Sequence, residues 1–79
     1  MPQTTKRKYT YRTLHPVDGR KLRELIYDNG YGINEFCRKA GIYKFTLYRM
    51  LKGKYSRGRT IKKVARVLGV HWEELVKEV

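Results

Sequence analysis

A short segment of the chain combines cationic and aromatic side chains at helical spacing. It reads YKFTLYRMLK over residues 43–52. Three of its apolar residues recur at the i, i+3 and i+4 positions of one helix face: Leu47, Met50 and Leu51. Phe45, Tyr48 and Arg49 then lie on the side that a core does not need. An exposed phenylalanine beside a guanidinium group is costly on an unused surface, but it suits contact with the groove and backbone of a nucleic acid.

Basic residues far outnumber acidic residues, and one long segment of the chain contains no acidic residue. The chain has 19 lysines and arginines against 7 acidic residues, a formal net charge of +12, and no acid occurs between Phe36 and Arg66. So many positive charges repel one another in a folded domain, and a polyanionic partner is the simplest explanation for them. Nucleic acid is favoured over two alternatives, a solvated basic surface without a partner and an anionic membrane surface.

Length and composition limit the other classes of function. A chain of 79 residues has room for one small core. No apolar run approaches the roughly 18 residues of a membrane span, and the first ten residues lack the apolar stretch of a secretory signal, so a cytoplasmic location is expected. One cysteine, Cys37, and two scattered histidines match neither a disulfide nor a metal site. No cofactor, metal or small-molecule ligand is predicted.

An enzyme is not supported by the residues present. Catalysis would need a nucleophile beside a base, a carboxylate pair or a metal site. His15 lies near the N-terminus, His71 is placed to cap the last helix, and Cys37 lies on the apolar side of its predicted helix. None of them has a catalytic partner at a suitable spacing.

Residues 1–16 are predicted to form an extended basic N-terminal arm. They contain four cations and no acid: Lys6, Arg7, Lys8 and Arg12. Three roles are open for the arm. It could enter a minor groove, serve as a flexible solubilising tail, or form a short strand in KYTYRTL if some edge, for instance on a second copy, accepts it.

Residues 17–79 are predicted to form an all-α domain of five short helices. Asp18 is placed to cap the first helix and Gly30 to end it. The second helix is INEFCRKA, the third follows Gly41, and the fourth is RTIKKVARVLG, with Ser56 as a candidate cap in the preceding loop. The fifth helix is predicted in HWEELVKEV with an apolar stripe: Trp72, Leu75, Val76 and Val79.

The segment from residue 33 to residue 52 resembles the helix-turn-helix of the lambda-repressor-like family, of the Cro and repressor type. That family has an apolar and then a small residue in the first helix of the pair, here Phe36 and Cys37, and a turn glycine four positions later, here Gly41. A left-handed backbone conformation at this turn costs little free energy only when the residue has no Cβ atom. The resemblance extends to LRELIYDNGYG before the pair and VARVLGVHWEEL after it, which implies a compact five-helix lambda-repressor-like domain.

Besides a slightly short loop from Gly53 to Thr60, two departures from the family pattern concern the identity of residues beside the docking surface. Gly32 and Ile33 stand where the family commonly has a serine or threonine and then a glutamine, so a glutamine contact to phosphate is missing. Leu51 stands where an acidic residue often follows the recognition helix's last apolar position. Both departures concern the flanks of the docking surface rather than the fold.

The resemblance implies DNA-contacting roles for individual residues. The residues expected to face base edges are Lys44, Phe45, Thr46 and Arg49. Arg49 can fork onto guanine O6 and N7, Lys44 can donate to the same acceptors, and Phe45 can meet a thymine methyl group. The residues expected to contact phosphate are Tyr43, Tyr48, Lys52, Lys54, Tyr55, Arg57 and Arg59. The recognition helix, about 43–52, would lie in the major groove.

The function expected from these features is sequence-specific binding of double-stranded DNA by a small transcriptional regulator, a repressor of phage or mobile-element type. Alternatives are a DNA-architectural or recombination-directionality factor and a protein-binding module such as an antitoxin-like partner. A homodimer is expected at least on DNA, with a contact surface in the last helix: Trp72, Val76 and Val79. A bacterial or phage-encoded, nucleoid-associated protein is expected.

Overall fold

The computed structural model describes residues 13–77. The predicted arm cations Lys6, Arg7, Lys8 and Arg12, and Val79 at the other end, lie outside the described residues. The elements follow in this order: β1 (Leu14–Pro16), α1 (Gly19–Asp28), α2 (Ile33–Ala40), α3 (Lys44–Leu51), β2 (Tyr55–Arg57), α4 (Gly58–Leu68) and a 3₁₀ helix (Trp72–Leu75). Within this part of the chain, no helix has the length and apolar character needed to cross a bilayer.

The ends of the first two helices follow the predicted local chemistry. The Asp18 carboxylate accepts a hydrogen bond from the Lys21 amide at 3.1 Å, which satisfies one of the free N–H groups of the first turn of α1. Gly41 ends α2 in the left-handed conformation, with φ of 72°, and its amide donates to the Cys37 carbonyl at 2.9 Å. The turn from α2 to α3 is therefore short, as a helix-turn-helix requires.

The core is formed by one cluster of buried apolar side chains from every helix and from the segment before α1. Its largest fully buried members are these: Phe36, Leu22, Ile26, Leu47, Met50, Ile61, Leu75, Val17 and Val64. Helix α3 packs on α1, α2 and β2, whereas α4 packs on α2, β2 and the 3₁₀ helix. Helix α2 and strand β2 therefore each contact both α3 and α4.

A two-stranded antiparallel sheet corrects the all-α prediction. Leu14 is opposite Arg57, His15 opposite Ser56, and Pro16 opposite Tyr55. His15 and Ser56 point inward and are buried. The strand considered in KYTYRTL, residues 8–14, shares only Leu14 with β1, and residues 8–12 lie outside the described part of the chain. The partner of β1 is the segment before α4 of the same chain. Ser56 does not cap α4, because Arg57 occupies the N-cap position and makes no side-chain cap bond.

The predicted fifth helix is limited to a single 3₁₀ turn. The His71 imidazole caps it as expected, accepting a hydrogen bond from the Glu73 amide at 3.3 Å. The chain is extended after Leu75, where Val76 forms an antiparallel bridge with Val17, and the Lys77 amide donates to the Pro16 carbonyl at 2.9 Å. Pairing with the N-terminal segment replaces the helical hydrogen bonds that this sequence could otherwise form.

The dimer surface predicted in this last segment is wrong for its two described members. Trp72 is 8% exposed and Val76 is 5% exposed, so both belong to the core of their own chain. The Trp72 ring packs against His15, with 5.6 Å between ring centres. A large aromatic side chain closes a small core efficiently, and this use leaves it unavailable to a second copy.

Candidate nucleic-acid interface

Helix α3 has one buried face and one exposed face. Leu47 and Met50 are fully buried. The opposite face presents Phe45, which is 71% exposed, together with Lys44 and Arg49, which are also exposed. Their predicted outward orientation is confirmed. Because the buried face anchors the helix in the core, the outward side chains have a rigid support.

The aromatic and cationic side chains on this face contact each other. The Arg49 guanidinium carbon lies 5.9 Å from the centre of the Phe45 ring, one helical turn earlier in the chain. This is the geometry of a cation–π interaction. The guanidinium therefore lies beside the Phe45 ring on the exposed side of α3. Thr46 is half-buried at the edge of the same face.

The residues predicted to contact phosphate surround the exposed face of α3. Tyr43 precedes the helix and is 83% exposed. On the other side, the chain from the end of α3 to the start of α4 carries exposed cationic and tyrosine side chains: Lys52, Lys54, Tyr55, Arg57 and Arg59. Ser56 points inward, so the alternation of strand β2 turns its two neighbours outward. These residues therefore lie in the chain segments immediately before and after α3, and we call them the border of α3.

Tyr48 belongs to a different part of this border. It is 49% exposed and forms part of an open groove of about 220 Å³ where α1, α2 and α3 meet. The groove is lined by apolar, tyrosine and basic side chains: Arg23, Ile26, Tyr27, Ile33, Tyr48, Leu51 and Lys52. Leu51, where the family pattern often has an acid, therefore contributes an apolar side chain to this groove at the end of α3.

Three helix N-termini lack side-chain caps. Helices α2, α3 and α4 begin at Gly32, Tyr43 and Arg57 without a side-chain cap bond, whereas Asp18 and His71 cap α1 and the 3₁₀ helix. Free N–H groups and the helix dipole favour an anion at such ends. The sequence prediction named no backbone donors, although the missing cap residues before α2 and α3 are visible in the sequence.

The buried Cys37 is not part of the exposed face. Burial raises the pKa of its thiol, and the positive charge of Lys44 acts in the opposite direction. Only 5% of the residue is exposed. The protonated thiol therefore packs as a small apolar group where α2 and α3 approach each other, which agrees with the sequence-based prediction. Within residues 13–77, no three histidine, cysteine or acidic side chains converge as a metal site would require.

Comparisons with known proteins agree with this geometry. The model of the Cro/C1-type helix-turn-helix DNA-binding domain family matches residues 21–78. No curated protein gives a significant match. One similar solved structure is the SinR protein/SinI protein complex, with a TM-score of 0.71 at 25% identity. The match covers 77% of this chain and 61% of that chain, so this chain spans less than two thirds of that relative.

A second solved structure supports the fold. It is described as the crystal structure of the master regulator for biofilm formation SinR in complex with DNA. The TM-score is 0.65 at 24% identity, and the match covers 70% of this chain and 90% of that chain.

Proposed function

The chain belongs to the family of Cro/C1-type helix-turn-helix DNA-binding domains, and we propose that it binds double-stranded DNA in a sequence-specific manner with α3 in the major groove. This family consists of DNA-binding domains and not of enzymes. The observation that carries the proposal is the rigid outward face of α3, where an exposed Phe45 packs beside the Arg49 guanidinium. An α-helix of this kind fits the width of the major groove.

In this proposal, four side chains of α3 read base edges. Arg49 forms two parallel hydrogen bonds to guanine O6 and N7, and Lys44 donates to acceptors of the same type. Phe45 and the methyl group of Thr46 contact a thymine methyl group. The contact between Phe45 and Arg49 supports this role because it restricts the guanidinium before DNA binds, which lowers the entropy lost in ordering the arginine.

The border of the face holds the DNA backbone. Its members are Tyr43, Tyr48, Lys52, Lys54, Tyr55, Arg57 and Arg59, assisted by the uncapped N-termini of α2, α3 and α4. Contacts of this type orient a protein on the duplex without specifying sequence. If about six phosphates are neutralised, the slope of log affinity against log salt concentration is about −5.

We propose that DNA binding serves transcriptional regulation, as a repressor of phage or mobile-element type acting at the nucleoid. A bound domain of this size covers a promoter element and excludes other proteins from it. The similar structure of SinR in complex with DNA supports the DNA-binding part of the proposal. Two copies would occupy half-sites about one helical turn apart, through a surface other than the buried Trp72 and Val76.

Selection of bound sequences from a random duplex pool tests the proposal. We expect enrichment of one motif that contains guanine in each half-site, arranged as an inverted repeat. A footprint over an array of direct repeats with bent DNA would instead indicate an architectural factor. A pool with no enrichment, or no protected site, would contradict sequence-specific recognition and favour a protein partner.

Thr13, the residue that follows the proposed arm segment, lies beside the first turn of α4, where the Gly58 amide donates to its carbonyl at 3.0 Å. We propose that the four arm cations, Lys6, Arg7, Lys8 and Arg12, enter the minor groove next to the site read by α3, where the negative potential attracts them.

Deletion of residues 1–12 is expected to weaken binding to the selected duplex about five-fold, which is roughly 1 kcal/mol. Fluorescence anisotropy at constant salt measures this affinity. The matched control keeps the arm length and replaces the four arm cations with glutamine, and it should lose as much affinity as the deletion. Equal affinities of the full and shortened chains would show that the arm makes no DNA contact.

A further inference from the structure

Helix α4 carries a second basic face. Ile61, Val64, Ala65 and Leu68 form its buried side. Four exposed cations occupy the other side at i, i+3, i+4 and i+7 spacing: Arg59, Lys62, Lys63 and Arg66. We call this set the α4 face. Only its first member, Arg59, lies on the border of α3 described above.

The α4 face belongs to a different helix from the exposed face of α3. Each of the two helices turns its apolar side toward the shared core, and α2 contacts both of them. Arg66 lies seven residues beyond Arg59, about 10 Å further along α4 at 1.5 Å per residue. A duplex seated on α3 therefore meets the start of α4 and leaves Lys63 and Arg66 without a role.

The chemistry of the α4 face fits a phosphodiester backbone. Its cations extend over about 10 Å, a length of duplex axis that contains about three phosphates of one DNA strand. Protein interfaces depend on buried aromatic or aliphatic anchors. None of the exposed large apolar side chains within residues 13–77 lies on α4. Electrostatic contact without an apolar anchor favours nucleic acid over an acidic protein.

We infer that the α4 face binds the backbone of a second DNA duplex, so that one protein molecule holds two duplex segments together. This inference rests on the proposed function, because α3 must hold the first duplex. Binding of the second duplex needs no base contacts and is independent of its sequence. It is sensitive to salt because it consists of phosphate neutralisation.

A two-duplex capture assay tests the inference with the full chain. The selected duplex is attached to beads and saturated with protein, and unbound protein is washed away. A fluorescent duplex of unrelated sequence is then added, and its capture is expressed per bound protein. The test variant combines Lys63→Ala with Arg66→Ala, since alanine keeps the helix propensity of α4 high. The control variant combines Arg20→Ala with Arg38→Ala, which removes the same charge from exposed positions on α1 and α2.

We expect the native chain and the control variant to capture the second duplex, and the α4 variant to capture about ten-fold less, because it lacks two phosphate contacts. Affinity of the α4 variant for the first duplex should change less than about two-fold. Circular dichroism confirms that each variant is folded.

Three results would overturn the inference. Undiminished capture by the α4 variant would show that two protein copies join the duplexes through another surface. A parallel loss of first-duplex affinity would place Lys63 and Arg66 on the same duplex as α3. Absence of second-duplex capture by the native chain would show that the α4 face takes no DNA. Failure of the protein to bind the beads would instead contradict the proposed function itself.

Discussion

Arg49→Ala is expected to reduce the discrimination between the selected duplex and a scrambled duplex by about 1–3 kcal/mol, the value of a bidentate arginine–guanine contact. The substitution removes the guanidinium that packs 5.9 Å from the Phe45 ring and leaves the border cations in place. The slope of log affinity against log salt should change by less than about 1. Anisotropy titrations of both duplexes at several salt concentrations measure the two quantities together.

Two further substitutions separate base reading from simple charge. Arg49→Lys keeps the positive charge and loses the fork that matches guanine, so part of the discrimination should disappear. Lys52→Ala removes an exposed border cation and should weaken binding to both duplexes by a similar factor. If Arg49→Ala instead weakened binding to every sequence equally, Arg49 would be a phosphate contact and not a base reader.

Gly19→Ala is expected to destabilise the domain by about 1–3 kcal/mol, the usual range for overpacking. Gly19 is buried in the first turn of α1. A Cβ atom there would overlap the Leu51 carbonyl oxygen at the end of α3 and lie 2.8 Å from the Leu51 carbonyl carbon. Because both atoms belong to the backbone, no side-chain rotation relieves the overlap, and the two helices must separate. Displacing the end of α3 should also weaken DNA binding.

The direction in which Gly19→Ala changes the free energy of unfolding is the informative part of the prediction. A glycine in a helix is ordinarily less stable than alanine by roughly 0.5–1 kcal/mol, so the simple expectation is stabilisation. Gly32→Ala is the matched control, because nothing lies within 4 Å of the added Cβ and φ is −83°. Urea denaturation should show a change within about 0.5 kcal/mol for the control. A Gly19→Ala variant as stable as the native chain would contradict the close approach of α1 and α3.

The helix-turn-helix was predictable because its signals are local. Apolar residues at helical spacing identified α2 and α3, and Gly41 marked a turn whose φ is 72°. The orientation of α3 follows from the same periodicity. Once Leu47 and Met50 occupy the core, the helix geometry leaves Phe45 and Arg49 on the outside.

The sheet and the last segment were less predictable because they depend on tertiary contacts. Strands of three residues are too short to show a clear alternation of apolar and polar residues, and the two strands are far apart in the sequence. Val76 continues a helical apolar pattern, but it bridges Val17, and this pairing ends the 3₁₀ helix after one turn. Trp72 belongs to the apolar stripe predicted for the fifth helix, and its predicted role in a dimer failed for the same reason.

The sequence predicted which residues form the candidate site better than it predicted how their side chains are arranged. Residue type and helical position identified the cations and aromatic residues of α3. The cation–π contact between Phe45 and Arg49 depends on side-chain conformation, which a helical pattern does not specify. The contacts that α2 makes with both α3 and α4 are a property of packing that the sequence pattern does not specify.

Nuclear Overhauser effects between the Phe45 ring and a bound, selected duplex test the central claim most directly. The ring is 71% exposed on α3, and it should lie against groups that project into the major groove, above all a thymine methyl group. The account predicts cross-peaks from the Phe45 ring protons to thymine methyl protons of the duplex. Cross-peaks to minor-groove protons alone, or a bound state in which the Phe45 ring contacts no DNA proton, would contradict recognition through α3.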